Sequence, residues 1–291
     1  MVESLRVLLA EIFDYAGLFP PAALPMDQAV TQYISHTKGP ECGLVNRFVC
    51  PVSWLDDFWQ VAEGTDTHFE WNLTVLGTSL EGFRQDQSVI QTFLSRTQGR
   101  VQVSGYEVKA APKDVSVGTL KPLASAAFDD IFIELPWTED ATDALHTIAE
   151  ADGPGAKART GGLEPSNYPS TEQLAAFIQE CVNLELSFKL TAGLHHPLRH
   201  KHASIDAFEH GFLNVLVATV LAHAQDLNKK EIASILGQSN LSDFTAEEDE
   251  LIWGDWEATT EDIHDARESI RGIGSCSISE PLSDLKALNL W

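Results

Sequence analysis

The sequence predicts an α/β chain folded as a single (β/α)8 barrel. Eight short apolar runs alternate with stretches of helical periodicity along 291 residues, as a closed parallel barrel requires. No Gly-x-Gly-x-x-Gly follows a strand, which disfavours an open doubly wound sheet. The clearest βαβ unit lies just past the middle. There Gly155–Gly162 and Leu186–Pro197, each apolar and each carrying a lysine, flank a helix from Ser170 to Leu184 with Leu174, Phe177, Ile178 and Cys181 on one side.

Residues 3–13 read as an amphipathic helix, because Glu3, Arg6 and Glu11 interrupt its apolar positions as no signal peptide would. The following Phe13-Asp14-Tyr15-Ala16-Gly17-Leu18-Phe19-Pro20-Pro21 reads as a compact turn stapled by aromatics; Asp14 and Tyr15 face a ligand only if a first strand ends there. Pro25 opens a helix through about Ser35. Asn46–Val52 and Phe69–Gly77 are the second and third strands, followed by helices over Trp54–Ala62 and Ser79–Thr97. Val101–Lys109 and Asp130–Trp137 are the fourth and fifth strands, and the two lysine-bearing runs are the sixth and seventh.

Beyond them, Leu194–His202 holds the densest group of histidines in the chain. His210–Ala224 is apolar almost all round and predicts a buried helix. Lys229–Leu236 is a short helix, Glu247–Asp249 a solvated acidic face, and Trp253 and Trp256 flank a turn. Thr260–Arg271 is helical, Gly272–Pro281 is the eighth strand with its exit, and Leu282–Leu288 is the last helix. The expected domain organisation is one TIM-barrel domain over residues 1–291, with 198–271 an extended helical connection between strands seven and eight.

Hydrophobic residues make up 44% of the chain, enough for a large core. A net charge of −24 argues against nucleic acid as a partner, since phosphate backbones need a basic surface. No apolar run is long enough for a bilayer, so no membrane association is expected. Cys42, Cys50, Cys181 and Cys276 form no Cys-x-x-Cys pair, which suits reduced thiols and a cytoplasmic location. Trp54, Trp59 and Trp291 are candidates for a homo-oligomer interface.

Side chains alternate along a strand, so Lys157 shares a face with Arg159, and Lys189 with Thr191. On the inner face of a barrel this gathers two ammonium groups and a guanidinium near the strands' C-terminal ends, where such barrels build active sites. Glu107 and Glu134 stand in apolar runs at the same ends of strands four and five, and a carboxylate there needs a cation or donor.

Lys157-Ala-Arg-Thr160-Gly161, Lys189-Leu-Thr-Ala-Gly193-Leu and Ile273-Gly274-Ser275-Cys-Ser277, with the closing Leu285-Lys286-Ala287-Leu288 helix, resemble deoxyribose-phosphate aldolase over the C-terminal half. The resemblance implies a Schiff-base lysine at Lys157, a second lysine beside it at Lys189, and an anion-binding glycine-serine turn after the last strand. Arg159 departs from it, standing where the family has a small hydroxyl residue. Glu107 is the nearest counterpart of the family's catalytic aspartate, one carbon longer. The chain also resembles a group of uncharacterised bacterial proteins that carry Asp-Tyr-Ala-Gly-Leu-Phe-Pro-Pro near the start and Ala-Gly-Leu-His-His-Pro in the middle.

The expected activity is that of a class I, metal-independent lyase without a cofactor, acting on a small phosphate- or carboxylate-bearing carbonyl compound. Lys157 and Lys189 are the amines, each expected to lower the other's pKa by its neighbouring charge, and Glu107 and Glu134 are the proton carriers. Arg159, Thr160, Gly161, Gly162, Thr191, Gly193, His195, His196, Gly274, Ser275 and Ser277 are the expected substrate contacts. Two alternatives stand beside it. Glu107, Glu134, His195 and His196 could hold a divalent ion that stabilises an enolate, although adjacent histidines rarely aim at one ion; or the barrel binds an anion without catalysis.

Overall fold

The computed structural model describes residues 1–66 and 68–291. Eight parallel strands, β1 (Phe13–Tyr15), β2 (Val45–Pro51), β3 (Trp71–Leu76), β4 (Val101–Lys109), β5 (Asp130–Leu135), β6 (Gly155–Arg159), β7 (Phe188–Thr191) and β8 (Ile270–Ser275), close into one barrel. Strands β1 to β7 pair in chain order, and β8 closes the ring between β7 and β1. The (β/α)8 architecture read from the alternation is the one observed.

Alternation along each strand separates two interiors. Outward residues make the apolar core against the helices: Phe188 meets Phe177 edge-on at 5.6 Å, Phe13 meets Phe212 at 5.4 Å and Tyr106 meets Phe83 at 5.1 Å. Their neighbours in sequence, Lys189, Asp14 and Glu107, therefore point into the barrel. The helix between β6 and β7, Thr171–Asn183, starts at a capping box in which Ser170 and Gln173 satisfy each other's backbone N–H groups.

Two expectations change. Phe13–Tyr15 is the first barrel strand and not a turn: the preceding helix α1 (Glu3–Leu9) stops early, Glu11 adopts a left-handed backbone (φ 48°), and Asp14 pairs in register with Gly274. The connection between β7 and β8 is only partly helical. A hairpin of His200–Lys201 with Phe208–Glu209, and a three-stranded antiparallel sheet of Phe244–Ala246, Glu250–Trp253 and Trp256–Thr259, accompany its three helices. The Trp253–Trp256 turn is the tip of that sheet's second hairpin. Helix Phe212–Gln225 is buried along most of its length, as its uniformly apolar sequence required. Among the described residues no helix is long and apolar enough to cross a membrane.

The loops leaving β6 and β7 touch backbone to backbone at Gly161 and Gly193. A Cβ on Gly161 would lie 2.7 Å from the Gly193 Cα, and Gly193 itself has φ +71°. Gly161→Ala is therefore expected to destabilise the fold by about 1–3 kcal/mol through overpacking, whereas Gly43→Ala, with open space around it, changes stability little. Urea denaturation midpoints of the two variants check this; equal midpoints would contradict the close-approach role.

Candidate active site

Inside the barrel, register brings the charged residues to one level. Lys157 lies opposite Lys189 across β6 and β7, and Glu134 opposite Lys157 across β5 and β6. Lys157 Nζ donates to Glu107 Oε2 at 2.5 Å and lies 2.8 Å from Glu134 Oε2. Lys189 Nζ donates to Glu107 Oε1 at 2.6 Å and to Asp14 Oδ2. One carboxylate thus bridges two ammonium groups, within a chain that runs Asp14, Lys189, Glu107, Lys157, Glu134. Every side chain in it is at least nine-tenths buried.

Asp14 is a member that the turn reading of its segment had put aside. It accepts from the Arg47 backbone N–H at 3.1 Å and from Thr74 Oγ1 at 2.8 Å in addition to Lys189. Its signal was available: a single acid inside Phe-Asp-Tyr obeys the same rule that marks Glu107 and Glu134. Near the start of β5 a second ionic group, in which Asp130 receives Arg47 at 2.6 Å and Arg271 at 3.1 Å, was also missed. Its residues come from three distant strands, and nothing local ties them together.

The charge balance reverses the expected lysine pKa. Burial alone would lower Lys157, but the charges of Glu107 and Glu134 outweigh it and raise the ammonium above its ordinary value. Burial alone would raise Glu107, yet Lys157 and Lys189 pull it down to about 2. Glu134 is likewise lowered: burial opposes, and Lys157 leads the charges that prevail. Two lysines side by side were expected to repel each other's protons; Glu107 and Glu134 instead hold the proton on Lys157.

The remaining expected contacts line the rim or support it. Arg159 continues the Lys157 face one step toward the C-terminal mouth, opposite Thr191. Thr160 Oγ1 donates to the Ala192 carbonyl at 2.6 Å, and the Gly162 carbonyl accepts from Tyr168 at 2.9 Å, so these groups join loops. Thr191 lies beside Gly274 on β8. Ser275 Oγ donates to the Ser277 carbonyl at 2.7 Å within its own turn.

His195 and His196 are not brought to Glu107 and Glu134. His195 stands between Cys276 (Sγ to Nε2, 3.7 Å) and Glu280 (3.3 Å), its pKa lowered by burial, while His196 Nδ1 lies 2.5 Å from Asp284. Both rings thus have a carboxylate of the C-terminal helix Ser279–Ala287 as their partner. Among the described residues no group of three or more His, Cys, Asp or Glu side chains is arranged to hold a metal ion.

No protein-family model, curated protein or solved structure matches the chain. The chemistry of the site is accordingly read from its own geometry.

Removing Glu107 leaves two buried ammonium groups with one carboxylate partner fewer each, so Glu107→Gln is expected to cost about 3–5 kcal/mol at neutral pH. Its pH signature has a definite sign. Because the folded pKa is depressed, the Glu107 contribution is fully present above the ordinary value of 4.5 and fades as pH falls toward about 2. Lys157 has the opposite sign: its contribution holds below its ordinary 10.5 and fades only as pH rises through the elevated folded value. Unfolding free energies measured between pH 5 and 2 should fall less steeply in Glu107→Gln than in the unsubstituted protein.

Proposed function

We propose that the barrel is a class I, Schiff-base lyase of the aldolase type acting on a small anionic carbonyl compound. The observation that carries this reading is Glu107 between Lys157 and Lys189, a proton carrier in contact with a nucleophile and with a second cation. Lys189 is anchored: its partner Asp14 is itself held by the Arg47 backbone and Thr74. Lys157 faces the Arg159 side and carries the more exposed of the two side chains, 7% against 3%. This supports Lys157 as the nucleophile and Lys189 as the group that orients Glu107.

In the reaction, Lys157 first loses a proton to solvent, and its lone pair attacks the substrate carbonyl carbon while a second amine proton passes to the carbonyl oxygen. The carbinolamine takes a proton from solvent, leaves its hydroxyl as water and forms a protonated imine. Glu107, an ionised carboxylate, takes the proton of the hydroxyl next to the carbon–carbon bond that breaks; the bond's electron pair passes into the imine, giving an enamine and releasing the second carbonyl product, and the proton on Glu107 is then available for the enamine carbon. Protonation of the enamine carbon and hydrolysis by water return free Lys157. Because the resting amine is held protonated, attack depends on a minor neutral form and its rate rises with pH.

Sodium borohydride added with a panel of small aldehydes, ketones and oxo acids is expected to trap a reduced adduct on Lys157, located by peptide mass spectrometry. Lys157→Ala should lose that adduct, and trapping should accelerate between about pH 7 and 10, in step with the free-amine fraction. No adduct from any member of the panel would overturn the proposal. Anion binding that persists in that case would favour the non-catalytic barrel.

A further inference from the structure

Among the described residues, the inward-facing cations Lys157, Lys189 and Arg47 are each matched to carboxylates. Arg159 is not. Its one protein hydrogen bond runs from Nη2 to the Gly161 carbonyl at 3.4 Å. A guanidinium carries five donors in a rigid fork, so most of its capacity is unspent. It follows Lys157 on the same face of β6, opposite Thr191 on β7, and is half-buried at the mouth above the ion chain. The backbone that presents it is pinned, since Trp137 Nε1 donates to the Arg159 carbonyl and Thr160 N donates to the Thr191 carbonyl at 2.8 Å.

We infer that Arg159 is the specificity residue of the site and selects a carboxylate on the substrate, one or two bonds from the carbonyl carbon: a short 2- or 3-oxo acid. This inference rests on the Schiff-base reading of Lys157. Two physical points choose carboxylate over phosphate. The first is charge. Asp14, Glu107 and Glu134 are matched in number by Lys189, Lys157 and Lys109, the last 3.5 Å from Glu134 Oε1, which leaves Arg159 as one surplus positive charge; a monoanion neutralises it, while a phosphate dianion leaves one negative charge uncompensated in a site of low dielectric. The second is reach. Residues i and i+2 on a strand are about 6–7 Å apart, and lysine and arginine side chains of similar length keep about that spacing when both are extended. A forked guanidinium–carboxylate pair with N···O contacts of about 2.8 Å takes up roughly 4 Å of it, carbon to carbon. The remainder fits one or two carbon–carbon bonds to the carbon attacked by Lys157. A phosphate ester, separated by a longer C–O–P link, does not fit that interval.

The test compares borohydride trapping by pyruvate and acetoacetate with trapping by acetaldehyde, acetone and glyceraldehyde 3-phosphate, in the unsubstituted protein, Arg159→Ala and Arg159→Lys. Trapping by the oxo acids is expected to exceed that by their neutral analogues about 10- to 100-fold, the range of one charge-assisted forked contact. Arg159→Ala should abolish the preference while keeping the acetaldehyde adduct on Lys157, and Arg159→Lys should restore only part of it, because a point charge lacks the fork. Retention of the acetaldehyde adduct also reports that the variant is folded. Preferential trapping of glyceraldehyde 3-phosphate, or an unchanged oxo-acid preference in Arg159→Ala, would overturn the inference and leave the Schiff-base reading standing. If no carbonyl compound is trapped, that reading fails. Calorimetric titration with pyruvate then decides the carboxylate inference alone: binding lost in Arg159→Ala supports it, and absence of binding in the unsubstituted protein overturns it.

Discussion

Charge buried inside the barrel is the constraint on which the rest of the structure depends. An ammonium group removed from water is costly unless a carboxylate meets it, and here two ammonium groups share one. Glu107 can do this because its two oxygens face two neighbouring strands, each with its own buried lysine. Its position demands the others: Lys189 needs Asp14 on its far side, Lys157 needs Glu134, and Asp14 needs the Arg47 backbone and Thr74 for its remaining lone pairs. The apolar core between strands and helices encloses this interior, and the same alternation that puts Phe188 and Leu190 into that core puts Lys189 and Thr191 inside the ring.

Much of this was legible in the sequence because it follows from period-two alternation within one strand. Lys157 with Arg159, and Lys189 with Thr191, share faces for that reason alone, and a glutamate in an apolar run announces a buried partner. What alternation cannot supply is register between strands far apart in the chain. Lys189 and Asp14 are 175 residues apart, and Asp130 meets Arg47 and Arg271 through strands that are not sequence neighbours. β1 has three residues, too few to display a period, so a strand defined by its pairing to β8 and β2 read as a turn. The small sheets between β7 and β8 escaped for a similar reason, their two- to four-residue strands lying among stronger helical signals.

The direction of the lysine shift teaches a separate point. Two lysines close in space lower each other's pKa only when no anion stands between them. The sequence places the cations side by side but is silent on where Glu107 and Glu134 end up, and those carboxylates decide the sign. A reading from lysine count alone therefore identifies the residues and mistakes the resting state of Lys157.

Stability is a poor explanation for five charges in the middle of a barrel, since well-packed apolar residues of similar volume commonly serve a fold as well as buried ion pairs or better. The arrangement also differs from a purely structural pair in having a surplus cation beside it. Asp14, Lys189, Glu107 and Lys157 have their partners within the chain of contacts, but Arg159, next along the same face toward the mouth, has a carbonyl at 3.4 Å and no anion. A network built only to neutralise itself would leave no surplus charge beside it. This one closes on a matched pair, Glu134 with Lys109 at 3.5 Å, yet Arg159 stands next to Lys157 on the same face toward the C-terminal rim as an extra cation, the charge that the inferred substrate carboxylate would meet.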